Sequence, residues 1–319
     1  MATLASQAFA ALVRARERAY ARGILGSARL PAPVWSVGNL SVGGSGKTPC
    51  VIAIGRALAA RGVAFDVLTR GYRRHGRQLA VAHTGDEDVA LTGDEPKLLA
   101  QRLQAPVLVH PDRFRAGMEG ERRFGSRLHL LDDGFQHRQL ARCFDLVLVT
   151  PADLEDRMLP AGRLREPPTA LSRASAVVWV AEEEEAGAAP GYARERLARF
   201  TSAPVFLARK RVHAPAPPPQ RPFAFCGLAR PESFWNSLRQ LGVEPAGRRA
   251  FRDHHFYRAS DLRALERAAR AAGAASFMTT AKDAVKLPPA WGPCTVVELE
   301  MEIPGLDTLM ALAWEACGL

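Results

Sequence analysis

Residues 43–48, Gly-Gly-Ser-Gly-Lys-Thr, follow a short apolar run at 34–37 and precede an apolar segment at 51–60. Strand, glycine loop and helix in that order constrain the chain more than any other feature, because together they make a phosphate cradle at a helix N-terminus. Glycines at Gly43, Gly44 and Gly46, with Ser45 between them, let backbone N–H groups turn inward around phosphate oxygens. Lys47 supplies a point charge to the terminal phosphates, and the Thr48 hydroxyl can ligate Mg²⁺. Pro49 is tolerated in a first helical turn, where its missing N–H would lack a partner anyway. One position departs from the pattern G-x-x-x-x-G-K-[ST]: Ser41 stands where glycine is usual. A merely structural glycine loop is the competing reading, and the flanking strand and helix weigh against it.

The apolar runs that follow, at 65–69, at 107–110 after a helix at 97–103, and at 128–131 and 146–150, predict a mostly parallel, doubly wound sheet. Ligands of such sheets sit beyond the carboxyl ends of the strands. The run at 128–131 ends in Asp132 and Asp133, a Walker B arrangement for metal binding, with a turn-capping Asp as the alternative. Asp94 and Glu95 before Pro96 read by themselves as a helix cap. Polar glycine-anchored loops at 133–138 and 162–167 are of the kind that carries function. Asp253-His254-His255 fits a metal-ligand pair, an acid/base group or a surface turn; adjacent histidines in an extended segment point apart, which disfavours a shared metal. Four glutamates at 182–185 read as a solvated run.

Five prolines between 215 and 222 mark a stiff linker. Beyond it, strands at 223–226 and 276–279 and helices at 233–241 and 260–272 predict a second, smaller α/β domain. Segments 205–212 and 295–303 alternate like strands and pair, on this reading, as a two-stranded hinge. The expected organisation is an N-terminal helix at 1–25, a P-loop domain at 26–210, a linker or hinge at 211–222, a second domain with the returning hinge strand at 223–303, and a C-terminal helix at 304–319.

The formal charge of +10 favours an anionic partner, but only five of the 43 basic residues are lysines, an arginine bias that genomic composition can also produce. Five widely spaced cysteines without a C-x-x-C pair predict neither a disulfide framework nor a zinc site, and a reducing compartment. No apolar stretch is long enough for a transmembrane helix, and no signal peptide is expected at the N-terminus. Residues 2–25 read as a helix with Leu4, Ala5, Ala8, Phe9, Leu12, Val13 and Tyr20 on one half and Arg14, Arg18 and Arg22 on the other. Such a helix lies either in a membrane interface or against the domain core.

The sequence 36–49 (Ser-Val-Gly-Asn-Leu-Ser-Val-Gly-Gly-Ser-Gly-Lys-Thr-Pro), Thr-Arg-Gly-Tyr at 69–72, Gly-Asp-Glu-Pro at 93–96, Asp-Asp-Gly-Phe-Gln-His at 132–137, Pro-Ala-Gly-Arg-Leu-Arg-Glu-Pro at 160–167 and Thr-Thr-Ala-Lys-Asp-Ala-Val-Lys at 279–286 run in order across nearly the whole chain. Together they closely resemble the tetraacyldisaccharide 4′-kinase (lipid A 4′-kinase) family of Gram-negative bacteria, and Ser41 then reads as a family feature. The resemblance implies transfer of the ATP γ-phosphate to the 4′-hydroxyl of tetraacyldisaccharide 1-phosphate, with Mg²⁺, giving lipid IVA. It implies a peripheral protein at the cytoplasmic face of the inner membrane, touching it through the N-terminal helix. It makes Asp94 the catalytic base and His254 its partner, and places Asp132, Asp133 and Glu166 around Mg²⁺ with Thr48. Arg70, Arg113 and Arg165 are candidates for phosphate contacts. A monomer is expected, with no nucleic-acid partner, since no recognised nucleic-acid motif or basic–aromatic platform is present. The competing readings are another P-loop enzyme with a soluble acceptor, its N-terminal helix packed as a core element, and a basic P-loop switch that binds nucleic acid.

Overall fold

A computed structural model describes residues 4–71, 74, 76, 78–181, 190–289 and 291–319. The glutamate run at 182–185 and Tyr72 of the 69–72 motif lie outside the described residues. In chain order the elements are α1 (Leu4–Ala21), β1 (Val34–Asn39), α2 (Lys47–Ala60), β2 (Phe65–Thr69), β3 (Ala80–Ala82), α3 (Val89–Thr92), α4 (Asp94–Leu103), β4 (Val107–Val109), α5 (Arg113–Phe124) and β5 (Leu128–Asp132). Then come β6 (Phe144–Val149), α6 (Pro151–Glu155), β7 (Ala176–Val180), α7 (Pro190–Leu197), β8 (Val205–His213), β9 (Phe223–Cys226), α8 (Pro231–Gln240) and β10 (Gly247–Ala250). The chain closes with α9 (Ala259–Ala271), β11 (Phe277–Thr280), α10 (Ala281–Ala284), β12 (Cys294–Glu302) and α11 (Leu306–Ala316).

The strands form one sheet in the order β10-β9-β11-β12-β8-β7-β6-β1-β5-β2-β4-β3. From β8 to β4 every neighbouring pair is parallel, and only the edge strand β3 runs antiparallel, to β4. β9 to β12 form a second parallel block. Two long strands join the blocks. The first half of β8 pairs with β7 and the first half of β12 with β11, while their second halves pair antiparallel with each other, from Arg209 opposite Glu302 to His213 opposite Glu298.

The central parallel strands are largely apolar because helices cover both faces. β1, β2, β5 and β7 are buried at every position. Along β1, Trp35 and Val37 pack with α2, α4 and α11 residues such as Ile54, Leu99 and Leu309, whereas Val34 joins Leu68, Leu131 and Ala116 of α5 on the opposite face. In the second block, Phe223 and Phe225 pack against Leu262 and Leu265 of α9, and Ala224 and Cys226 against Phe234 and Leu238 of α8.

The expected α/β fold with a mostly parallel sheet is the one found. Three details differ. Cys143 and Cys317, 174 residues apart, form a disulfide, against the expectation of none; the pairing arises because α11 packs beside the start of β6, which spacing along the chain does not reveal. β8 continues to His213, so residues 211–213 are strand and the irregular segment starts at 214. α1 ends at Ala21, where Gly23 takes a left-handed φ of 71°, and its apolar arc is divided: Phe9, Val13 and Tyr20 are half-buried against the protein, while Leu4, Ala5, Ala8 and Leu12 are exposed.

Candidate active site

β1 delivers the glycine loop beyond its carboxyl end, at the point where β5 lies on one side and β6 on the other. Gly43 and Gly46 have φ of 109° and 95°, a region glycine enters without steric cost. A side chain at Gly46 would also displace the ends of the Met301 and Lys210 side chains. α2 then starts at Lys47, with its N-terminal N–H groups and Thr48 at the mouth of the loop. Lys47 Nζ donates to Asn39 Oδ1 at 2.9 Å and lies 3.5 Å from Asp133 Oδ1. The Ser45 hydroxyl is buried with no partner among the described residues.

The two carboxylates ending β5 part company. Asp132 stays within the strand, buried, and accepts from the Thr69 hydroxyl at the end of β2 at 3.3 Å. Burial, then repulsion from Glu95 and Asp133, pushes its carboxyl up to about 7. Asp133 turns out of the strand with φ of 53° and meets the Arg165 guanidinium in a bidentate pair at 2.8 and 2.7 Å. Burial works upward on Asp133, but Arg165 and Lys47 outweigh it and hold the carboxyl well below the usual carboxylate range. Arg165 also reaches Asn39 Oδ1, so one asparagine at the end of β1 joins Lys47, Arg165 and, through its carbonyl, the Gln136 amide at 3.0 Å. Arg113, at the start of α5, is buried, and burial together with repulsion from Arg70 pushes it down to about 10 although Asp133 and Asp132 pull upward. Arg113 and Arg165 thus face the strand-end carboxylates, with Arg70 beside Arg113.

Glu166 is elsewhere. Its buried carboxylate ends on Arg173, which also pairs with Glu17 of α1 at 2.7 Å and stacks over Phe135 with its centre 4.5 Å from the ring. Arg173 meets only the Oε2 of Glu166. Among the described residues no group of three or more His, Cys, Asp or Glu side chains could hold a metal by itself.

Asp94 opens α4 beneath Gly93, whose φ of 96° bends the chain so that Asp94 is buried with its Oδ1 accepting from the Glu95 N–H at 2.9 Å. Gly93, not Asp94 or Glu95, holds the cap position, with no side-chain cap, and the rest of the Asp94 carboxylate faces the second block. There His254, on the turn after β10 with φ of 58°, points Nδ1 at both oxygens, at 2.9 and 2.8 Å. The Asp94 contact comes first among the effects that raise the His254 pKa, ahead of the opposing cost of burial. Burial works upward on Asp94, but His254, Lys286 and Lys282 outweigh it and keep the carboxyl below its ordinary value. His255 faces away, with Nε2 3.0 Å from Asp261 and its ring stacked on Phe251, so the two histidines share no ligand. Lys282 pairs with Glu95, the residue that repels Asp132, and so the Asp94–His254 pair lies beside the strand-end carboxylates. Lys210 of β8 donates to the Gly44 carbonyl at 3.1 Å, a further link between the joining strands and the loop.

The sequence profile of the tetraacyldisaccharide-1-P 4′-kinase family matches residues 1–314. The chain belongs to this family. A tetraacyldisaccharide 4′-kinase from Koribacter versatilis (strain Ellin345) is 43% identical over 290 residues, covering 88% of this chain and 87% of that protein. One from Anaeromyxobacter dehalogenans (strain 2CP-C) is 40% identical over 337 residues, covering 97% and 88%. The crystal structure of "apo" form LpxK from Aquifex aeolicus in complex with ATP superposes with a TM-score of 0.79 at 28% identity, covering 98% of this chain and 96% of that one. Membership makes this chain a kinase of lipid A biosynthesis.

For this family member the structure brings Asp94 and His254 into contact across 160 residues, and Lys47 and Asp133 into one cluster. It keeps Glu166 in a separate ion pair. Residues that sequence reasoning did not single out are Asn39, Thr69, Arg173 and the trio Lys282, Asp283 and Lys286. All but Arg173 lie inside the 36–49, 69–72 and 279–286 motifs, so the resemblance contained the signal without assigning a role.

Proposed function

We propose that this kinase, acting as a monomer at the cytoplasmic face of the inner membrane, transfers the ATP γ-phosphate to the 4′-hydroxyl of tetraacyldisaccharide 1-phosphate, with Asp94 and His254 taking the hydroxyl proton. The observation that carries the reading is the Asp94–His254 contact at 2.8 Å, made by one residue from each block next to the glycine loop. The acceptor is an uncharged alcohol, so its proton must leave as the bond to phosphorus forms. A free aspartate, with a pKa of about 3.9, is a weak base at neutrality. Paired with a neutral imidazole it titrates as a unit that takes up one proton at the raised pKa of the pair.

Backbone N–H groups of residues 43–46 and Lys47 hold the phosphates. The site suits Mg²⁺: Asp132 is a buried carboxyl with a weak hydroxyl partner, and Thr48 is buried at the loop mouth. Thr48, Asp132, Asp133 and Glu166 would share the ion with the nucleotide phosphates, Glu166 keeping one oxygen on Arg173; when bound, the ion spreads the phosphate charge. Opening at the β8–β12 pair would separate His254 from Asp94 and admit both substrates. Leu4 and Leu12, 86% and 70% exposed on α1, and Ile24, 71% exposed just after it, suit an interfacial contact beside Arg14, Arg18 and Arg22. No helix among the described residues is long and apolar enough to cross a membrane.

The test is transfer of radiolabel from γ-labelled ATP to detergent-solubilised tetraacyldisaccharide 1-phosphate. Wild-type protein should label the lipid, and Asp94→Ala should label it about 10²–10⁴-fold more slowly while still binding ATP. ATP hydrolysis without labelled lipid would remove the acceptor assignment; near-normal labelling by the variant would remove Asp94 as the base.

A further inference from the structure

The Asp94 carboxylate has a third neighbour from the second block. Lys286 Nζ lies 3.6 Å from Asp94 Oδ2 and 2.8 Å from Asp283 Oδ1, with its side chain only 1% exposed. It also sits 5.5 Å from the centre of the Tyr257 ring. Asp283 is wholly buried and accepts from the Tyr257 hydroxyl at 2.9 Å, the Thr280 hydroxyl at 2.7 Å and the Gly227 N–H at 3.0 Å. The carbonyl of the same Gly227 accepts the backbone N–H of His254 at 3.2 Å. Asp283 therefore fixes both partners of Asp94: the ammonium directly, and the histidine through the backbone of one glycine. A buried lysine without function is costly unless its charge is met, and this one is met by two carboxylates of which only Asp283 is held by the second block's own hydrogen bonds.

We propose that Lys286, anchored by Asp283, is a positioning residue for phosphoryl transfer, fixing the Asp94 carboxylate and setting the proton affinity of the Asp94–His254 pair. This rests on Asp94 being the base. The charges that face Asp94 are Glu95 on its own helix, Asp253 and His254 on the turn after β10, and Lys282, Asp283 and Lys286 after β11. Lys282 is engaged with Glu95, and Asp253 lies 3.7 Å from His254 Nε2. Removing the Lys286 charge leaves Asp94 and Asp283 facing each other, which favours protonation of the pair. Neutralising Asp283 leaves the ammonium to Asp94 alone and disfavours it.

The experiment is the pH dependence of kcat/KM for the lipid acceptor, with ATP saturating, in Lys286→Gln, Lys286→Arg and Asp283→Asn, each compared at wild-type ATP affinity. Lys286→Gln should lower kcat about 10–100-fold and move the acid limb to higher pH by about one unit, and Lys286→Arg should return the limb toward wild type. Asp283→Asn should move the limb the other way, so it decides the matter if Lys286→Gln does not fold. An acid limb that stays in place in a folded variant overturns the role of Lys286. If Asp94→Asn keeps the wild-type rate and profile, the base assignment itself has failed, a result distinguishable from an unmoved limb in the lysine variant alone.

Discussion

Gly38 lies in the middle of the molecule, in the buried strand β1, where the loop carrying Asp133 folds back over it. A Cβ at this position would stand 2.5 Å from Phe135 Cβ, 2.7 Å from Phe135 N and 3.1 Å from its Cα. Two of those atoms are backbone and the third is fixed to it, so no rotamer relieves the overlap. Carbon atoms in contact prefer about 3.5–4.0 Å, and Gly38→Ala must therefore displace the Phe135 segment by about 1 Å. Overpacking of this kind costs about 1–3 kcal/mol. Each kcal/mol lowers Tm by about 2–4 °C in a chain of 150–250 residues and by less here, so a fall of a few degrees is expected. The same displacement is passed to Asp133 and to the Gln136 amide that holds the Asn39 carbonyl. A misplacement of about 1 Å in a catalytic cluster costs about 10²-fold in rate. Thermal melting with label transfer under saturating ATP reads both. A Gly38→Ala protein with wild-type Tm and kcat would refute the claim that this close approach sets the geometry of the site.

Arg165→Lys removes the bidentate grip on Asp133 and should weaken ATP affinity several-fold with little change in Tm, measured by nucleotide titration; unchanged affinity would show that Asp133 needs no clamp. His129, wholly buried between Asp66 at 2.7 Å and Glu121 at 3.2 Å, keeps a raised pKa because those carboxylates outweigh its burial. Its charged form stabilises the fold fully below the unfolded pKa of about 6.5, and that contribution fades as pH rises through the folded value, so the Tm gap between wild type and His129→Gln should narrow above neutrality. A gap independent of pH would mean a hydrogen-bonding role alone. Leu12→Glu should reduce flotation with anionic vesicles without altering Tm; full flotation would move the membrane contact away from α1.

What the sequence made legible was local. The glycine loop, Lys47 and the strand-end carboxylates stand within a few residues of the chemistry they imply, and buried parallel strands such as 107–109 and 223–226 show as unbroken apolar runs. The helix at Arg113–Phe124 has little sequence signature because its buried positions are Arg113, Ala116, Gly117 and Gly120, with no large apolar side chain among them. The Ala176–Val180 strand is as plainly apolar as its neighbours. Partnerships across the sheet have no local signature: Cys143 with Cys317, Glu17 with Arg173, and Lys286 with Asp94 all depend on how distant segments pack. Asp94 with His254 was reachable only through resemblance. Reading 253–255 as extended also hid the left-handed turn at His254, which aims that imidazole at Asp94 and the next one at Asp261.

The central claim is that Asp94 and His254 act as one proton acceptor, and a double-mutant cycle on kcat tests it most directly. With Asp94→Ala, His254→Ala and the double variant measured by label transfer at saturating ATP, the account expects the double variant to be about as slow as Asp94→Ala alone, as residues working as a unit are strongly non-additive. Losses that multiply independently would contradict it and separate the histidine from the base.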